Sequence, residues 1–239
     1  MQGFPERISK IWWKDCCCDG RMAMLEFQNV NIKRGEFMLK EISFQLEEGY
    51  ILGIVGKNGA GKSTLLKSML EPKKEDTGII LWNGEFVREK REWFLSQCAY
   101  IGEDNNFFLK RSASENVTLL STLYPEFSKE AFFTYMKEMK VSTGTLVGAY
   151  SRGQFIRFQM AFARARGAKL YLLDEVTAGM DPVFRREFYQ MLREILSEGA
   201  TVLMTTHIST DIQRMADYVL ELEEGRMLYC KENLYEQEK

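Results

Sequence analysis

The run Gly56-Lys57-Asn58-Gly59-Ala60-Gly61-Lys62-Ser63, followed by Thr64, has the spacing G-x-x-x-x-G-K-[ST] of a phosphate-binding loop. It stands between an apolar run (Ile51, Leu52, Ile54, Val55) and a helix expected from about Lys62. Glycines at these positions let backbone N–H groups turn toward phosphate oxygens, and the following helix presents its positive end to the same anions. Lys62 would reach the β- and γ-phosphates and Ser63 would hold Mg²⁺. A plain glycine-rich turn would account for Gly56 or Gly59 taken singly, but not for Lys62-Ser63 in register.

Leu170-Tyr171-Leu172-Leu173 is a second apolar run and ends in the adjacent carboxylates Asp174 and Glu175. Asp174 would enter the magnesium shell. Glu175 would accept the proton of an attacking water, or orient that water. His207 is the only histidine in the chain and directly follows the apolar stretch 201–206. A lone histidine is usually structural, but the C-terminal end of a strand is where parallel α/β sheets place ligands, so His207 joins the candidates.

These residues need a scaffold that brings strand ends together. Met24 onward reads as half-buried antiparallel strands, with Leu25, Phe27, Val30 and Ile32 followed by Ile42, Phe44 and Leu46 alternating with polar neighbours. Apolar runs at 51–55, 170–173, 201–205 and 218–222 are expected to be buried strands, with helices from Pro182 to Leu196 and from Ser209 to Ala216 between the later ones. Strands alternating with helices imply a parallel sheet. Ser112 to Leu123 and Ser128 to Lys140 are helix-like, and no strand is expected between Ile101 and Leu170, so about 104–167 reads as a helical subdomain inserted into the α/β core.

Composition narrows the classes. With 239 residues the chain can bury a substantial core. No window approaches the apolar length of a membrane-spanning helix. Lys+Arg 32 against Asp+Glu 34 gives a net charge of −2, which offers nucleic acid no overall attraction, so no nucleic-acid partner is expected. The five cysteines include the triplet Cys16-Cys17-Cys18 but no CxxC spacing, and no secretory h-region precedes them; both point to the cytoplasm. Residues 1–23 show neither a helical nor a strand period and are expected to stand apart from the fold, disordered or foreign to it, with translation starting at Met22 or Met24. The folded domain would then be 24–239.

The loop Gly56 to Thr64, the pair Asp174-Glu175, His207, and Tyr150-Ser151-Arg152-Gly153-Gln154 ahead of a helix together resemble the nucleotide-binding subunit of ATP-binding-cassette (ABC) transporters, over about Met24 to Tyr229. Ser151 to Gly153 is the most specific element, being similar to the family's signature motif. Arg152 stands where glycine is commonest, and a basic residue there resembles the drug, peptide and polysaccharide exporter (ABC-2 type) subgroup. Ala178-Gly179-Met180-Asp181-Pro182 is similar to the D-loop, with Asp181 expected to cross a dimer interface, and Val176 replaces the usual proline after the carboxylate pair. Tyr100-Ile101-Gly102-Glu103 occupies the Q-loop position with Glu103 in place of glutamine; Glu103 could still bind Mg²⁺ or a water. Where the family stacks an aromatic ring on adenine, this chain offers Arg34, with Phe37 close by. Either residue would serve, since a guanidinium plane also stacks on a base, although ordinary strand packing of Phe37 is the competing reading.

The resemblance implies an α/β fold: a RecA-like phosphate-loop NTPase core with a parallel sheet, an N-terminal antiparallel β subdomain and the inserted helical subdomain. It implies an ATPase in which two subunits, identical or different, meet head to tail, with MgATP between the phosphate loop of one (Gly56, Asn58, Gly59, Ala60, Gly61, Lys62, Ser63, Thr64) and Ser151 and Gly153 of the other. Glu175, His207 and Lys62 would be catalytic, and Ser63, Asp174 and Glu103 would face the metal. The chain would then be the motor of an exporter, peripheral on the cytoplasmic face of the membrane and docked on a separate transmembrane permease subunit, with Phe107, Phe108 and Leu109 as candidates for that contact. The alternative is a soluble ATPase of the same family, or a nucleotide-dependent regulator, not coupled to transport.

Overall fold

The structure is a computed structural model and describes residues 24–103, 107–207 and 209–233. Segment 1–23, and Asp104 at the expected start of the helical insert, lie outside the described residues.

In chain order the strands are β1 Leu25–Arg34, β2 Phe37–Leu46, β3 Ile51–Val55, β4 Thr77–Trp82, β5 Glu85–Phe86, β6 Cys98–Ile101, β7 Leu170–Asp174, β8 Thr201–Thr205, β9 Tyr218–Glu223 and β10 Arg226–Glu232. The α-helices are α1 Lys62–Leu70, α2 Arg91–Gln97, α3 Ala113–Leu120, α4 Lys129–Glu138, α5 Arg152–Ala165, α6 Pro182–Ser197 and α7 Ser209–Met215. They fall into two compact units, one up to Lys90 together with Ser209 onward, the other Arg91–Ile208.

In the first unit the strands lie in the order β5-β4-β1-β2-β10-β9-β3. β1 and β2 are antiparallel, with Leu25 opposite Leu46 and Phe27 opposite Phe44, and those two rings stack at 4.5 Å. Phe27 and Val30 are three residues apart yet both buried, which a strict period of two forbids. The register shifts between them, at a bulge where Asn29 takes φ 49°, and this returns Val30 to the core face. β10 runs parallel to β2 and antiparallel to β9, and so joins the antiparallel layer to the parallel pair β9 and β3. The sequence pattern did not reveal β4 or β10: β4 opens on exposed Thr77 and Gly78, and β10 is half-exposed and carries charges at Arg226, Lys231 and Glu232.

The second unit holds the parallel strands β8, β7 and β6 in that order, with Leu170 paired to Cys98 on one side and Thr201 on the other. β8 is buried at every position and β7 at all but Asp174, so their sequences read as continuous apolar runs. Between β6 and β7 in the chain come α3, α4 and α5, which share a core of their own. Phe132, Phe158, Met136, Val117 and Ala161 are fully buried there, and Phe158 and Phe162 meet Phe107 edge to face at 4.6 and 5.2 Å. Each such phenylalanine contributes roughly 1.5–3 kcal/mol of burial. Side-chain caps start these helices: Ser112 and Ser151 form capping boxes with Glu115 and Gln154, and Ser128 caps α4.

Candidate functional site

The phosphate loop closes β3 of the first unit. Gly56 takes φ 148°, and a Cβ there would stand 2.3 Å from the carbonyl oxygen of Leu222, so only glycine lets the loop leave the strand along this path. Gly61, the N-cap of α1, is left-handed at φ 110°. The N-caps of α3, α4, α5 and α6 accept hydrogen bonds through serine or aspartate side chains. Gly61 has no side chain to do so, and the first turn of α1 carries no acidic residue. Neither the cap residue nor the first turn of α1 therefore supplies an anionic side chain to the helix's positive end. Lys62 is 5 % exposed, and its Nζ donates to the carbonyls of Gly56 at 3.0 Å and Lys57 at 3.2 Å. This holds the ammonium across the loop it would serve.

Of the two candidates for adenine, Arg34 is committed elsewhere. Its guanidinium grips Asp76 with two nitrogens at 2.7 and 3.1 Å and also donates to the carbonyls of Lys33 and Glu71. Burial pushes the Asp76 carboxyl up, but Arg34 and the backbone N–H groups of Lys73 and Lys33 outweigh it and hold the group below the ordinary aspartate value. Phe37 lies against the loop: its Cζ would be 2.8 Å from a Cβ on Gly61, and the ring is only half-buried.

The second unit gathers the other candidates at the C-terminal ends of its strands. Asp174 ends β7, and a hydroxyl from each neighbouring strand holds its carboxylate. Tyr100 of β6 donates to Oδ2 at 2.8 Å and Thr205 of β8 to Oδ1 at 2.7 Å. Such outer partners fix the aim of a carboxylate metal ligand, and two acceptor oxygens oriented in this way suit a hard cation such as Mg²⁺. Glu175 follows in the left-handed region at φ 50°, with its N–H donating to Thr205 Oγ1 at 3.0 Å. An extended side chain in that region is strained by about 1–3 kcal/mol and stays there only where its surroundings fix it. His207 lies with Nδ1 3.9 Å from Glu175 Oε2, both side chains about half exposed. Buried Thr177 and Thr206 share a hydroxyl hydrogen bond at 3.0 Å beneath this turn.

Ser151, Arg152 and Gly153 open α5. Ser151 Oγ accepts from the N–H of Gln154, whose side chain accepts from the N–H of Ser151, and Gly153 lies against the ring of Phe184. Asp181 caps α6, accepting from the N–H groups of Val183 and Phe184, with Pro182 at the first helical position. Glu103 pairs with Arg152 at 2.9 Å. The trio after the 104–106 segment divides: Phe107 packs inward, whereas Phe108 and Leu109 are about half exposed.

Sequence reasoning passed over the residues that aim the site. Gln159 is buried in α5 and clamps both backbone groups of Gly102, donating to the carbonyl and accepting from the N–H, each at 3.0 Å. Thr205 was legible only as a member of an apolar strand, and Tyr100 only as the first residue of the Q-loop position. The available signal was positional, since a hydroxyl at the end of a strand beside a strand-ending aspartate is a candidate to orient it.

The family profile described as ABC transporter matches residues 39–178. Nod factor export ATP-binding protein I of Burkholderia lata is 29% identical over 87% of this chain and 70% of its own length. Lantibiotic transport ATP-binding protein SrtF of Streptococcus pyogenes is 28% identical over 87% of this chain and 91% of its own. Among solved structures, an ATP-binding subunit of an ABC transporter superposes with a TM-score of 0.78 at 23% identity, covering 87% of this chain and 90% of that one. The cbiO1 protein of Clostridium perfringens, part of the complex cbiONQ, gives 0.75 at 24% identity, covering 88% and 89%.

Proposed function

The chain belongs to the ABC transporter family and is an ATP-binding, ATP-hydrolysing subunit that powers transport; from this premise we propose how its own residues divide the work, and that the work is export. The observation that carries the reading is the helix α1, whose positive end has no side-chain cap and lies under a glycine loop crossed by the buried Lys62. That arrangement receives a polyphosphate. Lys62 would turn donors from the Gly56 and Lys57 carbonyls to the terminal phosphates. Phe37, beside Gly61, would stack on the adenine, in preference to Arg34 on Asp76.

Ser63 and Asp174 would hold Mg²⁺, and when bound the ion supplies charge neutralisation at the phosphates. Glu103 is directed to Arg152 and takes no primary part in this reading. Glu175 would accept a proton from the attacking water or orient it, with His207, 3.9 Å from it on the segment after β8, as a second polar group at the γ-phosphate. Ser151, Gly153 and Asp181 would face the second subunit of a dimer.

Among the described residues no helix is long and apolar enough to cross a membrane. A separate permease subunit would therefore supply the path, with the chain peripheral on the cytoplasmic face. Exposed Phe108 and Leu109 offer it an apolar foothold. The direction, export, follows the printed name of one relative, Nod factor export, and the other is named for lantibiotic transport.

The purified chain should hydrolyse ATP only with Mg²⁺, and Glu175→Gln should retain nucleotide while losing on the order of 10²–10⁴ in rate. Size-exclusion chromatography of Glu175→Gln with MgATP should reveal the sandwich dimer, and a further Ser151→Arg should abolish it. Hydrolysis near the parental rate in Glu175→Gln would remove Glu175 from the catalytic role.

A further inference from the structure

Two positions at which the chain departs from its family's usual residues, Glu103 and Arg152, touch each other, and Arg152 also touches the turn that carries Glu175. Arg152 Nη1 lies 2.9 Å from Glu103 Oε1, and Nη2 donates to the peptide carbonyl of Glu175 at 3.0 Å. We infer that Arg152 is a positioning residue for Glu175, and that Glu103 holds the guanidinium in the orientation this requires. The inference rests on the reading of Glu175 as the residue that handles the attacking water.

Glu175 is left-handed, and its peptide must be fixed from both sides to remain so. Thr205 holds the N–H side, through its hydroxyl at 3.0 Å and its carbonyl at 3.2 Å. On the carbonyl side the N–H of Ala178 donates at a long 3.3 Å, and the Arg152 guanidinium adds a charge-assisted donor at 3.0 Å. Only a forked cation reaches two acceptors at once, whereas a lysine would reach one at a time. The pair with Glu103 is too exposed to add much stability, Arg152 being 42% and Glu103 77% accessible. Its consequence is orientation: with one edge of the fork held by Glu103, the other is aimed at the carbonyl.

The same helix grips the segment before Glu103 a second time. Gln159 lies seven residues after Arg152, two turns along the same face of α5, and clamps Gly102 by two hydrogen bonds. Arg152 and Gln159 thus make α5 a splint running from the 102–103 segment to the carboxylate turn. A glutamine at 103 would leave the arginine without its anionic partner, and a glycine at 152 would leave the glutamate without its cation. The two departures compensate one another.

The test compares the parental chain with Arg152→Ala, Arg152→Lys, Glu103→Gln and the double variant Glu103→Gln/Arg152→Ala, with Glu175→Gln as the control for the catalytic reading. Hydrogen exchange followed by mass spectrometry on the peptide spanning Asp174–Met180 reports on the turn without reference to turnover. In Arg152→Ala its amides, Ala178 above all, should exchange about five- to tenfold faster, the scale of one hydrogen bond from a donor that solvent partly screens. Glu103→Gln should move the same amides in the same direction by less, Arg152→Lys should restore part of the protection, and the double variant should match Arg152→Ala. In steady-state hydrolysis of MgATP, kcat should fall about five- to tenfold in Arg152→Ala with KM within about twofold of the parent, because the turn and not the nucleotide site is disturbed. Parental exchange in Arg152→Ala overturns the inference, as does a Glu103→Gln effect that adds fully to that of Arg152→Ala. If Glu175→Gln hydrolyses at the parental rate, the catalytic reading fails by itself, and the exchange data still decide whether Arg152 holds the turn.

Discussion

In the proposed site the glycine loop and the carboxylate turn would solve the same problem, holding polar groups ready for a charged ligand, by opposite means. The loop is one contiguous stretch. Its shape comes from glycine φ angles and from backbone donors, and its lysine is held by carbonyls five and six residues away. The turn is assembled from β6, β7, β8, α5 and the segment after β8, and side chains hold it: Tyr100 and Thr205 on Asp174, Thr205 and Arg152 on Glu175. A backbone-built site loses function only when its few essential residues change. A side-chain-built site should weaken by degrees.

That contrast can be broken at its strongest point. Lys62→Ala should weaken nucleotide binding by about 10- to 150-fold, the loss of one or two hydrogen bonds from a charged donor, with no effect on hydrogen exchange around Asp174–Met180. Nucleotide titration of both chains checks it, and a loss under threefold would mean that the loop binds through its backbone alone.

Next in size, Gln159→Leu should lower unfolding stability by about 2 kcal/mol, because it strands both backbone groups of Gly102 in a buried place. Denaturant midpoints measure this, and a neutral outcome would remove the splint role of α5 at that end.

Tyr100→Phe takes one hydroxyl from Asp174 and leaves the ring. It should reduce turnover about tenfold at saturating MgATP, and raise the magnesium concentration needed for half-maximal rate, with little change in metal-free nucleotide binding. If turnover falls without any shift in magnesium dependence, Asp174 is not the ligand that Tyr100 aims.

The smallest effect concerns Arg34 and Asp76, in the unit of the loop. Asp76 has a lowered pKa, so the stability this contributes is present above the ordinary aspartate value near 3.8 and is lost as pH falls through the lower folded value. Arg34→Ala should cost about 1 kcal/mol at pH 7, since two backbone N–H groups remain on the carboxylate, and the difference from the parent should shrink below about pH 4. Nucleotide affinity should be unchanged, because Phe37 and not Arg34 lies by the loop. A large loss of ATP binding in Arg34→Ala would return the adenine to Arg34.

Much of the molecule was legible from residue order. The periods of β1 and β2, the apolar runs of β3, β7, β8 and β9, and the cap serines of α3 to α5 all stand in local sequence. What was missed had weak local signals. β6 is four residues long, Cys98–Ile101, and is a strand because β7 lies beside it. β10 is half-exposed, with neither an alternating nor a continuous apolar pattern, and β9 and β2 recruit it by backbone pairing.

The same division holds for the site. Sequence by itself determined the phosphate loop, because glycine conformational freedom and an i-to-i+6 lysine are properties of consecutive residues, and it determined the carboxylates, because a charge ending an apolar strand is visible in one dimension. Only the tertiary structure decided that Arg34 belongs to Asp76 and Phe37 to Gly61, two residues three apart on one hairpin with different fates. It alone joined Glu103 to Arg152 and Arg152 to Glu175, because those contacts span 49 and 23 positions of chain. A hydrogen bond is satisfied by distance in space, and over such separations distance in space depends on how every intervening element packs.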